Sequence, residues 1–217
     1  MSTTTIRVWD WPTRLFHWLL VICVITLFVT GKLGGNWMEW HKKAGYCALG
    51  LILFRIFWGF AGSQTARFTQ FVRGPRAVID YVKGRWAAVP GHNPLGALSV
   101  LLMLSVILFQ AVTGLFANDD ILLEGPLYVL VSKDTSDFLT KLHHWSGNVM
   151  IGLVVLHVAA IIWYAVFKKE RLTGPMIEGT KTVEGQTEPK FVRARWALVW
   201  MAVAAAVVWA VVNRVWM

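Results

Sequence analysis

The sequence predicts an all-α integral membrane protein: a four-helix transmembrane bundle with a fifth transmembrane helix at its C-terminal end. Three observations carry this. Of 217 residues, 56% are hydrophobic and only 15% are charged, whereas a soluble domain carries roughly a quarter charged residues. Five apolar stretches reach or approach the roughly 20 residues a helix needs to cross a bilayer. Thirteen tryptophans stand against four tyrosines, and indole favours the membrane–water interface. Mean hydropathy is +0.54, so a soluble fold is excluded.

Taken in order, the apolar stretches cover residues 15–31, 44–61, 95–117, 145–167 and 196–212. The first follows Arg7 and Arg14, as the apolar core of a signal peptide would. Residues 32–37, Lys-Leu-Gly-Gly-Asn-Trp, fit a cleavage site poorly, so the first stretch is expected to be a retained span. Between the second and third stretches, Gly74-Pro75 and Pro90-Gly91 are turn signals around a short helix at residues 76–83. Residues 173–190 are rich in Thr, Gly and Glu and read as a flexible linker. The expected organisation is a bundle over 1–170, a cytoplasmic linker over 171–195 and an additional helix over 196–217.

Net charge is +9, which raises nucleic-acid binding as a reading. Its distribution argues otherwise. Residues 62–94 carry a net +4 and residues 168–195 a net +3, whereas residues 118–142 carry −3. Lys and Arg in short loops stay in the cytoplasm, which orients the chain with its N-terminus and both basic loops inside and its C-terminus in the periplasm. No nucleic-acid partner is expected. Cys23 and Cys47 lie in apolar runs and form no CxxC or CxxCH, so thiol redox chemistry, zinc ribbons and covalent haem attachment lack support.

The histidines carry the chemistry. Fourteen residues separate His143 from His157, a step that returns to within about 40° of one helix face and rises about 21 Å. His144 is turned to the opposite flank. In depth, His41 matches His143 and His17 approximately matches His157, giving two His–His pairs stacked across the membrane. The same 14-residue step takes His17 to Gly31, His41 to Arg55 and Gly45 to Gly59. Gly45 and Gly147 each follow an outer histidine by four residues, which removes a side chain where a flat ligand could lie against the helix. Arg55 falls at the level of the inner pair, where a buried cation needs an anionic partner such as a haem propionate. Zinc and copper sites use three or four ligands in one shell. Two imidazoles at each depth suit instead the axial positions of a haem iron, which then passes electrons and has no open site for oxygen. Packing glycines, a snorkelling Arg55 and interfacial Trp18, Trp40 and Trp145 are the simpler readings of the flanking residues.

With these residues in place the sequence resembles the bacterial cytochrome b561 family, including the b-type cytochrome subunits of nickel–iron hydrogenases. The matching stretches are Val8-Trp9-Asp10 with Arg14-Leu15-Phe16-His17-Trp18, His41 with Gly45-Tyr46, and Phe54-Arg55 with Trp58-Gly59-Phe60. Ala66-Arg67-Phe68, Gly91-His92-Asn93-Pro94-Leu95-Gly96, and Leu142-His143 with Leu156-His157 complete them. The resemblance implies a four-helix bundle binding two haem b groups by bis-histidine ligation through His17, His41, His143 and His157, and exchanging electrons between a quinone and a partner protein. The fifth apolar stretch departs from that pattern and is expected to pack outside the haem bundle.

Three functions compete. The leading one is an electron-transfer subunit of a respiratory oxidoreductase, partnered by a periplasmic cytochrome c or a hydrogenase-like subunit docking on the acidic segment 118–142. Arg55, Arg67, Arg73 and Gln110 are candidate polar groups for quinone. The second is a stand-alone quinone-linked oxidoreductase acting on a small redox substrate such as superoxide. The third is a metal-ion transporter or simple membrane anchor, without pigment. Lipid is a partner in all three, and a homo-oligomer is compatible with each.

Overall fold

The computed structural model describes residues 3–86, 89–121 and 123–213. In chain order the elements are β1 (Thr3–Arg7), α1 (Trp11–Leu33), α2 (Met38–Ala61), α3 (Phe68–Phe71), α4 (Pro75–Val82), α5 (Pro94–Leu115), α6 (Lys133–Phe167), α7 (Thr173–Glu178), β2 (Thr180–Glu184) and α8 (Arg195–Asn213). Five of these helices, α1, α2, α5, α6 and α8, are long and apolar enough to cross a membrane. Their large apolar side chains are widely exposed, Ile22 at 60% and Leu198 at 71% for example, because lipid rather than protein solvates them. The last four residues of the expected fifth span, Arg214 among them, lie outside the described residues.

The chain divides into two units. The first comprises Met1–Phe16, Arg55–Leu102 and Val154–Trp200. Here β1 and β2 pair antiparallel, from Thr3 opposite Glu184 to Arg7 opposite Thr180. Ile6, Val8 and Trp9 are buried against Met176 and Val183. The segment expected to be a flexible linker is therefore ordered over α7 and β2. Its polar composition hides a strand whose hydrogen-bond partner lies at the other end of the sequence. Gly179 joins α7 to β2 at φ 88°, a left-handed conformation that favours glycine. Its carbonyl accepts from the Val8 and Trp9 amides at 2.8 and 3.1 Å. Asp10 caps α1 by accepting from the Thr13 amide at 2.8 Å and also accepts from Trp58 Nε1 at 3.0 Å. The Gln64 amide donates to the Lys190 carbonyl at 3.0 Å.

The second unit comprises His17–Phe54, Met103–Leu153 and Met201–Met217. Leu49, Leu115 and Val208 form its buried centre, so α8 packs on α2 and α5. α6 begins 12 residues before the apolar stretch at 145. Its first turns are tied to the preceding loop, with Asn118 donating to Ser136 Oγ at 2.6 Å and Lys133 paired to Asp120 and Asp137. Hydropathy does not register those turns because they face the loop with polar side chains.

Candidate functional site

His41 stands in the first turn of α2, and His143 lies ten residues into α6. The Nδ1 of His41 is 2.9 Å from the Leu27 carbonyl on α1, and the Nδ1 of His143 is 2.9 Å from the Gln110 carbonyl on α5. A carbonyl oxygen can only accept, so both rings carry their hydrogen on Nδ1. The Nε2 of each ring keeps its lone pair, the form that ligates metals.

The two ring centres are 6.2 Å apart with planes crossed at 76°. Two metal–nitrogen bonds of about 2 Å, plus about 1 Å from each nitrogen to its ring centre, span about 6 Å. The pair is thus spaced for one ion held between the rings. Among the described residues no group of three or more His, Cys, Asp or Glu side chains could hold a metal. A macrocycle supplying the remaining nitrogens meets that limit. Both rings border a cavity of about 570 Å³ that also takes in Gly31, Gly45, Gly114 and Met150, within the usual range for cofactor pockets. Lys42, Asp119, Asp120 and Glu124 stand along it as charged groups. The donor set and the cavity fit a haem.

His144 also lines this cavity, contrary to its expected position on the opposite flank. A cavity this wide spans more than the 100° between successive helical residues, so both neighbours border it. Gly45 lines the cavity as expected, whereas a Cβ on Gly147 would meet the Gln110 amide nitrogen at 3.0 Å. Ser146 donates to Gln110 Oε1 at 3.1 Å, so Gly147 and Ser146 both pack α6 against α5. Of the tryptophans beside the histidines, Trp18 packs edge-on to His17 at 5.0 Å, and Trp145 is 65% exposed.

His157 is half-buried on α6. Arg55 is 2% exposed, with its guanidinium 4.9 Å from the Phe68 ring centre and 5.8 Å from that of Phe71. Its Nη1 has no hydrogen-bond partner among the described residues, and both carboxylate oxygens of nearby Asp10 accept from other donors. A buried cation with an unused donor suits an incoming anion. Arg67 is tied to the Gly62 carbonyl at 2.7 Å. Arg73 lines a second cavity of about 350 Å³ with His92 and residues 185–189.

A profile of the prokaryotic cytochrome b561 family matches residues 8–179. The chain belongs to this family. It is similar to the probable Ni/Fe-hydrogenase B-type cytochrome subunit of Rhizobium leguminosarum bv. viciae, at 21% identity over 82% of this chain and 89% of that protein. The protein of the same description from Azotobacter chroococcum is 24% identical over 81% of this chain and 88% of its own length. The probable Ni/Fe-hydrogenase 1 B-type cytochrome subunit of Escherichia coli K12 is 26% identical over 49% of this chain and 57% of its own. As a b-type cytochrome, this member of the b561 family carries haem b and transfers electrons in a membrane. The carbonyls of Leu27 and Gln110 were not legible as site elements, because a backbone acceptor carries no residue identity.

Proposed function

We propose that this b561-family protein is a dihaem electron carrier that exchanges electrons between a quinone and a redox partner protein. The observation that carries the reading is the crossed pair of His41 and His143. Each is fixed as the Nδ1–H tautomer by a helix carbonyl, and their ring centres are 6.2 Å apart beside a cavity. The 14-residue step in the sequence supplies His157, with His17 as its partner, for a second haem. Arg55 is assigned to a propionate of that haem, and Gly45 gives the first one room.

A bis-histidine haem supplies a one-electron carrier with no open iron position. The chain's own residues do the rest. Leu27 and Gln110 orient the imidazoles, and the apolar walls of the cavity keep water away. Asp119, Asp120 and Glu124 offer an acidic edge to a partner with a basic face. The names of the relatives point to a hydrogenase for that partner, and a periplasmic cytochrome c has matching chemistry. The proposed setting is a bacterial inner membrane with the acidic segment in the periplasm.

Purified protein should show a b-type reduced-minus-oxidised spectrum and a pyridine haemochrome ratio near two haems per chain. Changing His17, His41, His143 or His157 to Ala should each remove one haem, whereas His144→Ala should keep both. A colourless preparation, or loss of haem from His144→Ala but not from His143→Ala, would overturn the assignment.

A further inference from the structure

The tripeptide Val-Thr-Gly occurs twice, at residues 29–31 near the end of α1 and at 112–114 near the end of α5. Each copy faces one histidine of the following long helix. In α1, the Thr30 hydroxyl lies 3.4 Å from His41 Nδ1, and a Cβ on Gly31 would meet the His41 ring at 3.2 Å. In α5, the Thr113 hydroxyl lies 3.2 Å from His143 Nδ1, and a Cβ on Gly114 would meet the His143 ring at 3.0 Å. The carbonyl that accepts from Nδ1 stands three residues before the threonine in both copies, Leu27 in one and Gln110 in the other.

The hydroxyl hydrogens are already committed. Thr30 donates to the Thr26 carbonyl at 2.6 Å, and Thr113 donates to the Phe109 carbonyl at 2.8 Å. Each hydroxyl oxygen therefore faces its imidazole as an acceptor and shares the Nδ1 hydrogen with the helix carbonyl. The glycine that follows has no side chain where the ring lies against the helix. Hydroxyl, carbonyl and bare backbone together fix the nitrogen that carries the hydrogen and the plane in which the ring stands.

We propose that Val-Thr-Gly is an imidazole cradle used twice, and that α1–α2 and α5–α6 are two copies of one half-site for the haem between His41 and His143. Thr30 and Thr113 are positioning residues that raise the electron-donating power of their histidines by accepting from Nδ1. Gly31 and Gly114 admit the rings. The copies are unequal. His143 is the more tightly held, because its hydroxyl and glycine contacts are shorter and Gln110 is further braced by Ser146 at 3.1 Å. The crossed planes follow from the two cradles and not from the iron. This inference rests on the haem reading given above.

The test uses the full-length, haem-loaded protein with Thr113→Val, which keeps the shape and removes the acceptor. It should retain both haems, with the midpoint potential of one shifted upward, because a weaker donor to iron favours the reduced state. The low-spin ferric EPR signal of that haem should move, and the other haem should be unchanged. Thr113→Ser should restore both values. Thr30→Val should act on the same haem with a smaller shift. Gly114→Ala should lower haem content more than Gly31→Ala does. An unchanged potential and EPR signal in a haem-replete Thr113→Val protein would overturn the cradle, as would Thr113→Ser behaving like Thr113→Val. Failure of the haem reading itself shows separately, as a His143→Ala protein that keeps both haems.

Discussion

His92 links the segment before α5 to the buried charge at Arg55. Its ring is packed between Trp9 and Phe71, each 4.6 Å away centre to centre, and its Nδ1 is buried without a hydrogen-bond partner among the described residues. Burial and then the charge of Arg55 push its pKa down from 6.5 to about 3. Trp9 and Phe71 are uncharged, and Arg55 is the charged group acting on it. Above pH 6.5 the ring is neutral in folded and unfolded chains alike. As pH falls below 6.5 the unfolded chain takes up a proton that the folded one refuses, and stability is lost progressively toward pH 3. That loss is at most about 1.4 kcal/mol per pH unit. Stability against unfolding in detergent, followed from pH 8 to pH 5, should fall less steeply for His92→Phe than for the wild type; parallel curves would refute this. Sequence spacing picked out the other histidines because a polar side chain in an apolar run is conspicuous. The packing of His92 and the place of His144 beside the cavity were not legible, since both depend on what lies across from them and not on their own helix.

At the scale of elements, the pairing of β1 with β2 holds α7 and the chain before α8 in place. Ile6 is 5% exposed and buried beside Val8 and Trp9. Ile6→Ala should weaken the pairing by about 2 kcal/mol, the lower end for a large-to-small change in a core. Local opening of β2 should then rise more than tenfold, read as faster tryptic cleavage after Lys181 in membrane vesicles while the long helices stay protected. Equal cleavage rates would show that β2 is held by something else. The five long helices were legible because lipid-facing surfaces force apolar runs of fixed length. The run Thr3-Thr4-Thr5-Ile6 is β-branched and carries a strand preference. Its partner, however, lies more than 170 residues away, and no local pattern announces such a pairing. The doubled Val-Thr-Gly was also present in the sequence, but a tripeptide has no meaning until it is seen against a histidine.

At the scale of the whole molecule, hydrogen bonds constrain how the chain threads the membrane. β1 pairs with β2 across α1, α2, α5 and α6, an even number of spans, so residues 3–7 and 180–184 must share one side. The Gln64 amide reaches the Lys190 carbonyl across α5 and α6, again an even number. The N-terminal strand, the segment with net +4 and the segment with net +3 are thereby gathered on one face, independently of any charge rule. In the orientation proposed above, that face is the cytoplasmic one. Labelling with a membrane-impermeant maleimide in intact spheroplasts should modify Ser132→Cys, whereas Thr4→Cys and Thr187→Cys should react only after permeabilisation. Labelling of Thr4→Cys and Thr187→Cys in intact cells, with Ser132→Cys protected, would reverse the orientation and move the acidic edge of the His41–His143 cavity away from any periplasmic partner. Opposite behaviour of Thr4→Cys and Thr187→Cys would contradict the strand pairing itself, because a two-stranded sheet cannot form through a bilayer that separates its strands.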